Sequence, residues 1–300
     1  LTKYLKEAMC EEPCDYLGGT IEFCKQPTHA DLQLVFQKLI NPPGRYYFVY
    51  FSDDSCISVR VGTKVLTFNL DISQCDSSHS AIFTAVLMTC PEKLKRDCER
   101  VLGQLTLPVR VNSQSVRGDF VKFQGDREFL LSGSTLTTYV NNVACLAIAF
   151  SIAERSLSFV GDVQEMLASA AADVGYELTI EECTDYFDIQ FLKHSPVYDL
   201  TGVLHPMLNL GVLLRSTGMC RGDLSGRGDM RHRARCFQKG LLQGMFPRLV
   251  APLITNMKAV VADATITKSV QKRIASLLEF KSGTINDDAA PIVQVDQEEF

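Results

Sequence analysis

Residues 46–76 read YYFVYFSDDSCISVRVGTKVLTFNLDISQCD. Tyr46 to Phe51 are all aromatic or β-branched, the composition of a buried strand. Ser52-Asp53-Asp54-Ser55 is turn-forming by composition. Ile57, Val59 and Val61 then alternate with polar neighbours as a second strand. Gly62-Thr63 turns the chain again, and Leu66, Phe68 and Leu70 alternate into Asp71. The pattern predicts a three-stranded meander. Asp53 and Asp54 sit at its first tip, Asp71 at the end of its third strand, and Asp76 one loop further on. Taken alone, each of these carboxylates also reads as an ordinary polar residue at a strand end or turn.

Downstream, Ile82, Phe83, Val86 and Leu87 share one helical face, and Pro91 opens the helix PEKLKRDCERVL. Residues 105–131 read as strands and loops. SGSTLTTYVNNVACLAIAFSIAER, from Ser132, passes from a Ser-Gly loop into a long, mostly apolar helix. Residues 163–174 form a further amphipathic helix. GYELTIEECTDYFDIQFLKHSPVYDL reads as strands with a hairpin, and the last 100 residues as largely helical with a polar tail.

The 300 residues are 46% hydrophobic and 22% charged, enough for a sizeable core. No run has the roughly 18 apolar residues of a membrane span. The start lacks the apolar core of a secretion signal, and it begins on Leu1. The expectation is a piece of a longer, non-secreted product. Eleven scattered cysteines fit a reducing compartment with free thiols. Cys10, Cys14, Cys24 and His29 admit a zinc reading, but match no finger spacing. Net charge is -5, yet Arg215–Lys239 holds seven Arg or Lys against two Asp. That segment is either a polyanion-facing surface or a solvated helix face. His79, His194 and His205 form no nucleophile–base pattern and are assigned no role. Cys75 reads as packing.

Carboxylates on adjacent strand ends suit one chemistry well. Mg²⁺ takes hard oxygen ligands, and two such ions about 3.5–4 Å apart clamp the attacking and leaving oxygens of nucleotidyl transfer. Thr137 and Asn141 are four residues apart and therefore on one helix side.

DISQCD followed by SGSTLTTYVN resembles motifs A and B of viral RNA-dependent RNA polymerases, the second through Ser132, Gly133, Thr137 and Asn141. GYELTIEE resembles motif D and FLKHS the motif E hairpin. The likeness covers residues 46–196. It implies an α+β fold: a right-hand polymerase palm (46–199) with a finger insertion (about 90–130), partial fingers (1–45), and a helical thumb with a C-terminal tail (200–300). It implies Mg²⁺ or Mn²⁺ held by Asp71, Asp53 and Asp54, and ribonucleotide selection by Asp76, Thr137 and Asn141. Template or primer contacts fall to Ser132, Gly133, Lys193, Arg231, Arg233 and Arg235. The implied partners are RNA, nucleoside triphosphates and other viral replication proteins, in a replication complex of the host cytoplasm. The motif D lysine has no counterpart in GYELTIEEC, and residues 1–45 carry no basic motif F cluster.

Motif C, usually Gly-Asp-Asp between B and D, has no clear place there. Gly161-Asp162 is followed by Val163, and Gly175 comes only 13 residues after Asp162. Val163, Met166, Leu167, Ala170 and Val174 have helical spacing, so Asp162 reads as an N-cap. FVYFSDDSCISV supplies strand, Asp-Asp tip and return strand instead. The order C-A-B-D resembles the permuted polymerases of permutotetraviruses and birnaviruses. The alternatives are a usual-order enzyme with a degenerate motif C at Asp162, a non-catalytic polymerase-like scaffold binding RNA or protein, and a DNA-making palm enzyme. The last is disfavoured by Asp76 and Asn141.

Overall fold

The computed structural model describes residues 4–5, 9, 12–113, 115–124, 130, 134–158, 160–199, 201–209, 211–212 and 232. The fold is α+β. The chain divides into two compact units, interleaved in sequence: Leu1–Phe23, Phe48–Ser55 and Leu70–Glu181 in the first, Cys24–Tyr47, Cys56–Asn69 and Glu182–Phe300 in the second.

The expected meander is present as β3 (Tyr46–Phe51), β4 (Asp54–Val61) and β5 (Lys64–Ile72). Every residue of β3 is buried, the consequence of an unbroken apolar run. Gly62 turns β4 into β5 with φ 61, a backbone region open to glycine at no steric cost. Two strands not foreseen from the sequence join the same sheet: β1 (Cys14–Tyr16) and β2 (Gly19–Phe23). They pair antiparallel, Tyr16 opposite Gly19. Leu17 (φ 48) and Gly18 (φ 83) make the two-residue turn between them, a pair of positive φ values typical of tight hairpins. The sheet order is β1-β2-β3-β4-β5-β8, where β8 is Leu178–Cys183.

In the first unit, helices α2 (Cys75–Ser78), α3 (Ile82–Thr89) and α4 (Glu92–Leu102) follow β5. The 20-residue α5 (Thr137–Ser156) packs against α2, α3 and α6 (Val163–Asp173). Small residues allow the α5–α6 approach: Ser151 Oγ donates to the Ala170 carbonyl at 2.8 Å, and Arg155 pairs with Asp173. A hairpin of β6 (Val109–Asn112) and β7 (Phe120–Phe123) lies within the expected strand-and-loop region.

In the second unit, α1 (His29–Ile40) is capped at Thr28 by a reciprocal bond with Asp31. It packs on β9 (His194–Tyr198) and β10 (Leu204–Leu208), an antiparallel pair. The expectation of helix after residue 200 is therefore corrected for 204–208. Leu204, Pro206, Met207 and Leu208 are buried in the pairing with β9, and this local pairing outweighs a weak helical pattern. The expected thumb otherwise lies outside the described residues.

Candidate active site

The tip of the first hairpin is Ser52-Asp53. Ser52 has φ 58, a conformation that costs a non-glycine residue. Helix α5 holds it at every polar backbone and side-chain position. The Ser52 N–H donates to Asn142 Oδ1 at 2.7 Å. Asn141 Nδ2 donates to Ser52 Oγ at 3.4 Å. The Cys145 thiol donates to the Ser52 carbonyl at 3.2 Å. Residues 141, 142 and 145 share one helix face through their three- and four-residue spacing.

Asp71 is the penultimate residue of β5. Past it the chain bends at Gln74 (φ 50), tied by Ser73 N–H to the Glu177 carbonyl at 2.9 Å, and enters α2 with Asp76 in its first turn. Asp53, Asp71 and Asp76 line one open cavity of about 430 Å³, with Gln74, Cys75 and Ser77. Among the described residues no Lys or Arg lines it. Burial and then the neighbouring Asp53 carboxylate raise the Asp71 carboxyl above the ordinary carboxylate range. Burial, then Asp53, Asp76 and Asp71, push the Cys75 thiol up to about 12. Cys145 is raised as well, first by burial and further by Cys75 and by Asp53, Asp54 and Asp71. Burial comes first in all three, and the carboxylates of the cavity add to it in the same direction.

Such a cavity fits a hard divalent cation. Mg²⁺ is commonly held by one or two carboxylates, with phosphate oxygens and waters completing the shell. Asp71 and Asp53 are the two carboxylates that could serve so. Among the described residues no group of three or more His, Cys, Asp or Glu is placed to hold a metal by itself. Cys14, Cys24 and His29 accordingly make no zinc cluster, and Cys10 lies outside the described residues.

Asp54 opens β4, is half-buried and does not line the cavity. Thr137 begins α5, and Asn141 is 2% exposed; neither lines the cavity. The Asn141 amide lies between two partners: His79 Nε2–H donates to its Oδ1 at 2.9 Å, while its NH₂ faces Ser52. The other His79 nitrogen, Nδ1, accepts from the Tyr176 hydroxyl at 2.9 Å. Burial lowers the basicity of His79, opposed by the Asn141 bond and by Asp76, so the ring is neutral near pH 7. Cys75 Sγ is 3.8 Å from His79 Nε2, but the raised thiol stays protonated. The pair is no nucleophile–base dyad.

Asp162 is the N-cap of α6, accepting from Gln164 N–H at 2.8 Å. It is exposed, does not line the cavity, and leads into helix with no return strand. Lys193 belongs to the second unit, in the turn between Phe191 and His194, with φ 65. Ser132, Gly133, Arg231, Arg233 and Arg235 lie outside the described residues.

Sequence reasoning gave no role to His79 and passed over Asn142 and Cys145. Asn142 had one signal, a second amide in the helix start TTYVNN. His79 had none, since its partners are 62 and 97 positions away. No helix among the described residues is long and apolar enough to cross a membrane. No known protein-family model matches the chain, and no curated protein matches it in sequence.

Proposed function

We propose that the chain is the palm-bearing part of a viral RNA-dependent RNA polymerase with motif order C-A-B-D. The observation that carries the reading is the meeting of Asp53, from a hairpin tip, with Asp71 and Asp76, from the end of the next strand and its following helix, around one anionic cavity. The motif B helix α5 supports that tip from behind. β8, the segment resembling motif D, is the next strand beside β5.

In this reading Asp71 and Asp53 would hold a divalent cation, Mg²⁺ or Mn²⁺, which would supply neutralisation of phosphate charge and activation of the primer hydroxyl. The chain's own residues create the place for that. Asp71 and Asp53 line a cavity in which the Asp53 carboxylate raises Asp71, a mutual repulsion that favours a cation over an empty site. Asp54 shapes the strand start behind the tip. Asp76, which also lines the cavity, would select the ribose together with Thr137 and Asn141 of α5. Nucleoside triphosphates and an RNA template are the substrates. Lys193 and the basic 215–239 stretch, with Arg231, Arg233 and Arg235, serve the RNA backbone through phosphate contacts. Ser132 and Gly133 would contact the template. Other viral replication proteins, in a replication complex of the host cytoplasm, are the proposed surroundings.

One observation favours a second reading, a non-catalytic polymerase-like scaffold: among the described residues no group of three or more His, Cys, Asp or Glu is placed to hold a metal. Primer extension on an RNA template, with Mg²⁺ and with Mn²⁺, separates the two. Wild type, Asp71→Asn, Asp53→Asn, Asp54→Asn and Asp162→Asn are compared. Loss of extension in Asp71→Asn and Asp53→Asn, with Asp162→Asn active, supports the permuted polymerase. RNA binding without extension by the wild type supports the scaffold. Loss in Asp162→Asn alone restores the usual order.

A further inference from the structure

We infer that Asn142, and His79 acting through Asn141, are positioning residues that hold the Ser52 turn and thereby set Asp53 against Asp71. The inference rests on the reading of the cavity as a divalent-cation site. It goes beyond that reading by naming the groups that pre-organise the site.

Ser52 keeps a positive φ without being glycine. Such conformations persist where the surroundings over-determine them. Here the N–H, the hydroxyl oxygen and the carbonyl of Ser52 are each engaged, all by one face of α5. The next residue is Asp53. A turn free to relax would move Asp53 away from Asp71, because the two carboxylates repel. The hold on Ser52 works against that repulsion.

Asn142 is fully buried, and only half of its amide is used. Its Oδ1 takes the Ser52 N–H, while its Nδ2 is buried with no hydrogen-bond partner. A buried amide nitrogen without a partner is unfavourable, and a leucine of similar size would avoid it. What an apolar side chain cannot do is accept from Ser52. The amide is explained by the turn it holds and not by packing.

The second path is a directed chain. The Tyr176 hydroxyl donates to His79 Nδ1, which leaves the proton on Nε2. His79 Nε2–H donates to Asn141 Oδ1, which turns the Asn141 NH₂ toward Ser52 Oγ. Reversing the amide would set NH₂ against the Nε2 proton. His79, with its proton on Nε2 and Nδ1 taken up by Tyr176, thus holds the Asn141 amide in the orientation that reaches the tip. Supporting partners of this kind govern metal-ligand geometry generally.

The test is Mn²⁺ titration of the full 300-residue chain by calorimetry, paired with thermal unfolding. The variants are Asn142→Leu, His79→Phe, His79→Gln, Tyr176→Phe and Asp71→Asn. Loss of a supporting partner typically weakens metal binding by about 10–100-fold, and that range is expected for Asn142→Leu and His79→Phe. Asn142→Leu should melt at the wild-type temperature, since it also removes the orphan nitrogen. His79→Gln retains a donor for Asn141 and should recover most of the affinity. Tyr176→Phe, which deletes one hydroxyl, should weaken binding without loss of fold. Wild-type affinity in Asn142→Leu, His79→Phe and Tyr176→Phe, with binding abolished in Asp71→Asn, overturns the positioning inference alone. Affinity that falls only in step with melting temperature also overturns it. Wild-type Mn²⁺ binding unaffected by Asp71→Asn overturns the cation-site reading, and this inference with it.

Discussion

The side-chain oxygen of Asn142 lies 2.7 Å from the backbone nitrogen of Ser52, across 90 positions of sequence. That bond joins the start of a long helix to the tip of a hairpin. On one side of the tip is Asp53, and beyond it the Asp71 carboxylate that Asp53 repels. The candidate site is thus a strained turn, held from behind, that presents charge in front.

Ser52→Gly separates conformation from contact. Glycine removes a left-handed penalty of about 1–2 kcal/mol but adds about 0.5–1 kcal/mol of chain entropy and loses the weak Asn141 contact. Unfolding free energy from urea denaturation is expected within about 1 kcal/mol of wild type. Ser52→Val, which adds a β-branched side chain at the same φ, is expected to lose substantially more. A Ser52→Gly variant destabilised as much as Ser52→Val would mean the hydroxyl, not the backbone, governs the turn.

Asp71→Asn should stabilise the chain at neutral pH. The folded-state carboxyl is raised by burial and by Asp53. Stability from this group is therefore fully present below the ordinary carboxylate range and is lost as pH rises through the raised value. Asp71→Asn is expected to melt higher than wild type at pH 7, with the difference shrinking toward pH 4. Mn²⁺ should raise the melting temperature of wild type by preferential binding to the folded state, and that of Asp71→Asn by much less. Equal Mn²⁺ responses in the two proteins would remove Asp71 from the cation site.

Acid should weaken the second unit through His194. Full burial lowers this histidine from 6.5 to about 4, against the bond from its Nδ1–H to the Leu192 carbonyl. The unfolded chain takes up the proton first, so stability falls as pH drops from about 6.5 to about 4. The slope approaches about 1.4 kcal/mol per pH unit for one such group. Denaturation followed by circular dichroism suits a chain with no tryptophan. His194→Gln is expected to show a shallower pH dependence over that interval. An unchanged slope would assign the acid sensitivity to other groups.

Asp162→Ala should be a stability variant only. Its carboxylate caps α6 through Gln164 N–H, an interaction whose loss typically costs about 0.5–2 kcal/mol. Primer extension per folded molecule is expected to match wild type. A specific loss of extension would return motif C to Gly161-Asp162.

The meander from Tyr46 to Ile72 was legible because its determinants are local. An all-apolar run, strict alternation and turn residues at 52–53 and 62–63 leave few other arrangements. Two short connections then bring Asp53 and Asp71 into neighbouring strands. The Asp162 cap was legible for the same reason, since helical spacing starts at Val163. The addition of β1 and β2 to the sheet was less so; Gly18-Gly19 signals a turn but not which strand lies beyond it.

The sequence by itself determined the Tyr46–Ile72 meander, the long helices after it and which carboxylates fall at strand ends. Only the tertiary structure decided what holds them. It turned Asn141 toward His79 and Ser52, left Asn142 with half its amide unpaired, and buried His79 between α5 and Tyr176. These contacts join residues 62 to 97 positions apart. Local periodicity reports which face a side chain occupies, whereas a buried polar partner is chosen by whatever the packed core brings within 3 Å.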